Sequence, residues 1–400
     1  MPSNILVLGA GFSFDSGIPL LRDFTQTILD LGDRRAHKGK ALDAETMSAL
    51  LDAASIRAEL DQYHGRAAFD DLNVEDILSI LLFDVLGQRT EGDSKLERFA
   101  RAIARTIEVT CDVTHPGLVG GDRFEAVSTG SDLYRRFWQA LFKWVEHGHE
   151  MPTIVTFNYD LVLERSLLQT LVNTNYDSYK KRLPFDYVSL RYLFPLVPDL
   201  LYQIKYVTYG FEERKSGTAL QLVPSGAPTK CAQIDLLKLH GSLNFPTTAS
   251  EKPMEDKFNI ASCLSKPFLV PPVFNKGPSD FASQMWAIGR DRFRQARNVV
   301  FVGYSFPTTD TYLRYFLKSA FGPNGELRTV HVFDPVLFSG SGDAKQMMDR
   351  YLQCFAQQMH RRIDFRPATD IGGVNSERDG GTLAHFILAL ERQPESILFA

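Results

Sequence analysis

The chain has 400 residues, 44% hydrophobic and 23% charged, with a formal net charge of -4. This is the composition of a folded globular protein: it excludes extensive disorder and gives no global attraction to nucleic acid or an anionic membrane. No apolar run approaches the ~18 residues of a membrane-crossing helix, and the first residues lack a basic signal-peptide region. The four cysteines, Cys111, Cys231, Cys263 and Cys354, form no CxxC pair, so a zinc ribbon or dithiol redox site is not expected and buried free thiols are. A cytoplasmic protein without membrane contact is the resulting expectation.

The chain opens on a short apolar strand, Ile5 to Leu8, that runs into GAGFSFDSGIP from Gly9 to Pro19. A glycine turn between a strand and a helix can offer backbone N–H groups to a dinucleotide pyrophosphate. The spacing is not the dehydrogenase GxGxxG, which needs a glycine where Phe14 stands; alone, the turn is equally a tight strand-to-helix connection.

From about Ala41 to Ile107 the chain reads as helical, with NVEDILSILLFDVLG the clearest piece. Asn73 can cap that helix, Glu75 and Asp76 suit its positive end, and Ile77, Ile80, Leu81 and Val85 share a face. Its carboxylates are therefore read as structural. A helix over Phe137 to Val145 ends near Gly148, where His147, His149 and Glu150 suit a helix end better than a metal site. The strand Thr153 to Phe157 follows, and 175–232 reads as an irregular or strand-rich insertion.

Ile234 to Leu239 is an apolar strand ending in HGSLN, and PFLVPPVF from Pro267 to Phe274 is extended by its prolines. A polar helix over Asp280 to Arg297 precedes the strand Asn298 to Val302, which ends in GYSFPTTD. Asp310 suits the start of the helix Thr311 to Phe321. The strand Thr329 to Phe333, a helix over Asp343 to His360 and a last helix near Leu383 to Leu390 complete the pattern. Alternating strands and helices predict an α/β fold, Rossmann-like and doubly wound, with a mostly parallel sheet and a helical insertion.

Ligands of such sheets bind at the carboxyl ends of the strands. Here those ends carry GAGFS at Gly9, TFNYD at Thr156, LHGSLN at Leu239, GYSF at Gly303 and FDP at Phe333. Read singly, Asn158 is a turn former before a helix and His240 an ordinary strand-end residue.

In this combination and order the motifs resemble the sirtuin superfamily, specifically its bacterial branch of NAD hydrolases in antiphage defence, from Ile5 to about Asp334. The resemblance implies that Gly9, Ala10, Gly11, Phe12, Ser13 and Ser16 cover the NAD phosphates and nicotinamide ribose. It puts Asn158 on the catalytic asparagine, Asp160 on the adjacent acid and His240 on the catalytic base, with Thr156 and Phe157 beside the cofactor. It brings Gly303, Tyr304 and Ser305 to the adenosine half and Asp334 to its ribose. Domain limits follow: 1–35 and 151–335 catalytic, 36–150 a mainly helical insertion in place of a zinc module, and 336–400 packed on the catalytic unit.

The chain departs from sirtuin deacylases in lacking CxxC zinc ligands and in carrying FNK, Phe274 to Lys276, where these hold the acylated peptide. The resemblance therefore implies hydrolysis of NAD to nicotinamide and ADP-ribose without a metal, in a homo-oligomer gated by assembly or by a partner such as a hexameric HerA-type ATPase. Nucleic acid would be met only through that partner. A deacylase or ADP-ribosyltransferase using the same NAD site, and a non-catalytic nucleotide-sensing subunit of an ATPase complex, are the alternatives.

Overall fold

The computed structural model describes residues 3–63, 73–87, 95–114, 123–124, 132–177, 187–193, 201–209, 215–222, 231–246, 260–270, 280–306, 311–371 and 379–398. In chain order the first half contains β1 (Asn4–Leu8), α1 (Ala10–Ser13), α2 (Leu21–Arg34), the hairpin β2 (Ala36–His37) and β3 (Lys40–Ala41), α3 (Ala44–Leu60), α4 (Val74–Gly87), α5 (Lys95–Thr110), β4 (Arg123–Phe124), α6 (Asp132–Glu146), β5 (Thr153–Thr156) and α7 (Val162–Asp177). Then come β6 (Tyr187–Tyr192), β7 (Leu201–Tyr209), β8 (Lys215–Leu222), β9 (Cys231–Lys238), β10 (Gly241–Pro246) and β11 (Pro267–Leu269). The chain closes with α8 (Asp280–Gln295), β12 (Asn298–Val302), α9 (Thr311–Phe321), β13 (Thr329–Phe333), α10 (Gly342–Leu352), β14 (Ile363–Asp364), α11 (Leu383–Arg392) and α12 (Pro394–Ile397).

Ten strands form one sheet in the order β14-β13-β12-β1-β5-β9-β6-β7-β8-β4. The seven from β14 to β6 are parallel, and β7, β8 and β4 extend the sheet antiparallel. The fold is thus Rossmann-like α/β, doubly wound. Strands β1, β5 and β12 are buried along their whole length, which is why NILVL, TIVT and NVVFV are apolar runs rather than alternating ones. After β1 the chain builds outward to β5 and then β9, and later returns to lay β12 on the other side of β1, so the sheet reverses at the β1/β12 edge. That reversal opens a crevice at the carboxyl ends of the strands.

The helices between β1 and β5 follow the sequence reading, with α4 capped as expected: Asn73 Oδ1 accepts from Glu75 N at 2.9 Å. At the C-terminus, α11 packs on α6, where Arg136 grips Glu391 through two hydrogen bonds of 2.8 and 2.5 Å. Among the described residues no helix is long and apolar enough to cross a membrane. Residues 274–276 and 307–310, which carry the FNK motif and Asp310, lie outside the described residues.

Candidate functional site

The turns that follow β1, β5, β9 and β12, four neighbours in the sheet, meet in a cavity of about 170 Å³. The sheet ends supply its floor: Ala10 and Ser13, Phe157 to Asp160, His240, and Gly303 to Ser305. The wall is helical and largely aliphatic, from Leu21 and Phe24 of α2, Val74, Glu75 and Leu78 of α4, and Ile103 and Ile107 of α5.

Asn158 is half-buried and held by hydrogen bonds on three sides. Its side-chain amide donates to Gly9 O at 2.8 Å and to Ser13 Oγ at 2.9 Å, while its backbone N–H donates to Thr156 Oγ1 at 3.0 Å. A carbonyl such as Gly9 O can only accept, so the amide nitrogen must face it, and Oδ1 is left as the hydrogen-bonding group Asn158 can offer a ligand. Thr156 acts from below: its hydroxyl donates to Leu8 O at 3.0 Å and ties β5 to β1.

His240 is buried, with its ring edge-on to Phe157 at 5.2 Å and near Trp286 at 6.0 Å. The next residue, Gly241, turns the chain at φ 83°, and a Cβ there would sit 2.1 Å from Phe268 O. Only glycine can therefore follow His240 while β10 pairs with β11.

The turns of Asn158 and His240 are stitched together. Leu239 N donates to Thr156 O at 3.0 Å, Leu243 N to Tyr159 O at 2.9 Å, and Tyr159 Oη to Val270 O at 2.8 Å. Beneath them Lys238 Nζ donates to Asp160 O and meets Glu164 Oε1 at 3.0 Å in a fully buried ion pair. Tyr192 Oη donates to the same Glu164 oxygen, and Asn244 Nδ2 to Tyr192 Oη, both at 2.9 Å.

The remaining sequence-predicted residues divide. Asp160 lines the cavity, and its Oδ1 also accepts from Val162 N at 3.0 Å, capping α7. Phe157, Tyr304, Ala10, Ser13, Gly303 and Ser305 line the cavity as well. Gly9, Gly11, Phe12, Ser16, Thr156 and Asp334 are not among its lining residues.

The backbone N–H groups of the first three of these bond within the fold. Gly9 N donates to Val302 O, Gly11 N to Gly303 O and Phe12 N to Gly9 O, at 2.9 to 3.0 Å. A Cβ on Gly9 or Gly11 would lie 2.5 to 2.7 Å from Gly303, so the glycines let two strand-end turns pack backbone on backbone. Phe12 belongs to the core, edge-on to Tyr134 and Phe137 at 5.5 and 5.2 Å.

Ser16 is buried and donates to Ser13 O at 2.6 Å, bracing the loop. Cys111 lies against Ser16, and burial, reinforced by the Asp160 charge, pushes its thiol up to about 11. Asp334 caps the turn Pro335–Phe338 through Val336 N at 3.0 Å. Burial pushes its carboxyl up to about 6, against the opposing pull of that hydrogen bond and of Arg350. In the HGHE segment, His147 Nδ1 bonds Lys143 O and His149 stacks on Trp144 at 3.8 Å.

Two features escaped the sequence. The Lys238–Glu164–Tyr192–Asn244 network joins residues from four elements and has no local signature. Glu75, read as a helix-end charge, is 4% exposed and lines the cavity.

The fold and site together define a Rossmann-like α/β protein with a partly aliphatic cavity at the sheet's switch point. No protein-family model matches the chain, and a search of curated proteins finds no match.

Proposed function

We propose that the cavity cleaves the bond between nicotinamide and ribose in NAD, releasing nicotinamide and ADP-ribose. The observation that carries this reading is the meeting of Asn158 and His240, from separate strand ends, in one cavity beside Ser13. Its size supports one end of a dinucleotide as the occupant, since sites that enclose a whole drug-sized ligand run to roughly 300–1,000 Å³. The nicotinamide riboside end fits that limit, with the remainder passing Ser305, which is exposed, as is Ala10.

As the C1′–N bond breaks, the electron pair leaves with the ring nitrogen and positive charge builds on the ribose. Asn158 Oδ1 accepts a hydrogen bond from a ribose hydroxyl or the attacking water. His240, the side-chain type suited to proton uptake near neutrality, takes the proton as water oxygen bonds to C1′. The negative charge of Asp160 at the same floor favours the ribosyl cation. By the resemblance, the activity serves antiphage defence by depleting NAD, in a homo-oligomer controlled by assembly or by a partner ATPase.

The test is product analysis by mass spectrometry after incubating the purified chain with NAD alone. Nicotinamide and ADP-ribose appear with the wild type, and Asn158→Ala and His240→Ala each remove them. Products that require an added protein acceptor would favour a transferase or deacylase instead. An absence of products with and without a hexameric ATPase would leave a nucleotide-binding subunit.

A further inference from the structure

We propose that Lys238 is a positioning residue for the reaction: its ammonium, buried beneath the floor, fixes the Asp160 end of the Asn158–Asp160 turn relative to His240. The inference rests on the NAD reading above. Lys238 closes β9 two residues before His240 and pairs in parallel register with Thr156 of β5. From there Nζ reaches Asp160 O and, one helical turn further on, Glu164 Oε1 at 3.0 Å. One side chain thus ties the strand that delivers His240 to the turn that delivers Asn158 and Asp160, and to α7 behind that turn.

Stability does not account for this network. Lys238, Glu164, Tyr192 and Asn244 are each at most 1% exposed, and a buried ion pair returns little or no net stability relative to an apolar core. Two of its acceptors, Glu164 Oε2 and Asn244 Oδ1, have no hydrogen-bond partner among the described residues, and a partly satisfied buried network is costly. Placement does account for it. The Asn158 end of the turn is held independently, by Gly9 O, Ser13 Oγ and Thr156 Oγ1. Asp160, besides its cap on Val162 N, is tied to β9 through Lys238. Loss of the Lys238 bond therefore frees Asp160 to shift from His240 while Asn158 stays in place. Because the Asp160 charge counts most as the ribose becomes cationic, that shift weakens the transition state more than the bound substrate.

The experiment is steady-state NAD cleavage by the full chain, with and without a hexameric ATPase, for wild type, Glu164→Gln and the double variant Lys238→Met/Glu164→Gln, at a temperature where circular dichroism shows each folded. Glu164→Gln breaks the charge pair but keeps the Lys238 bond to Asp160 O, so it loses stability to urea while kcat stays within about twofold of wild type. The double variant regains stability but lacks the bond, so kcat falls about 10- to 100-fold with KM within about twofold of wild type. Rate then parts from stability, which a purely structural Lys238 would not produce. A double variant with wild-type kcat, or one whose loss lies in KM, overturns the positioning role and leaves NAD cleavage standing. A Glu164→Gln variant whose kcat falls about tenfold or more does the same, and that arm carries the test if the double variant does not fold. A wild type that cleaves no NAD in either series overturns both readings.

Discussion

Replacing Lys238 by methionine isolates one charge beneath the site while keeping most of the side-chain volume. Lys238 and Glu164 have side-chain exposures of 1% and 0%, and the second Glu164 oxygen has no partner among the described residues. Lys238→Met leaves that carboxylate with the Tyr192 hydroxyl and removes the donor to Asp160 O. Breaking a buried pair from one side costs about 3–5 kcal/mol, because the uncompensated charge stays out of water. Adding Glu164→Gln removes the charge and keeps an acceptor for Tyr192, so the double variant should recover most of the loss, ending about 1–2 kcal/mol below wild type. Urea denaturation followed by tryptophan fluorescence measures each midpoint and slope. A Lys238→Met loss under about 1 kcal/mol, or a double variant as unstable as the sum of the singles, would refute the argument that a stranded charge sets the cost.

Asp334 gives a pH signature. Its folded value of about 6 lies above the ordinary carboxyl range, so its stabilising contribution is complete below about pH 4 and is lost as pH rises through about 6. Asp334→Asn keeps an oxygen to cap Val336 N and should exceed wild type by up to about 3 kcal/mol at pH 7–8, with the gain vanishing near pH 4; a pH-independent difference in thermal denaturation would contradict this. Gly241→Ala should unpair β10 from β11 and speed hydrogen exchange at Val270, whose N–H bonds His240 O at 2.7 Å. Gly39→Ala is the control: φ is similarly positive at 79° but nothing lies within 4 Å of the added methyl, so only the backbone strain of about 1–2 kcal/mol should be seen.

Strands β1, β5 and β12 were legible because burial along their whole length writes them as apolar runs, and with β13 they fall within a residue of their sequence limits. Strand β10 was not, since GSLNFP becomes a strand only by pairing with Pro267–Leu269 far along the chain. The helix expected to reach His360 stops at Leu352, and a short turn over Gln357–Arg362 follows, where the His360 imidazole bonds Leu352 O and Phe355 O at 3.2 Å. Asn158 and His240 could be singled out only through the resemblance that their motifs carry, since read singly each is an ordinary strand-end residue. Glu75 could not: its place at a helix start explains it locally, and only the packing of α2 and α5 around α4 decides that it is enclosed. In a sequence, a glycine needed for backbone contact reads the same as one needed for a phosphate.

The chamber's two halves have separate addresses in the chain. Its wall comes from one contiguous stretch, Ile18 to Ile107, while its floor is collected from turns as far apart as Ala10 and Ser305. What is admitted and what is done to it can therefore be altered independently: swapping side chains along α2, α4 and α5 reshapes the entrance requirement without disturbing the clips that hold Asn158 and His240 in register.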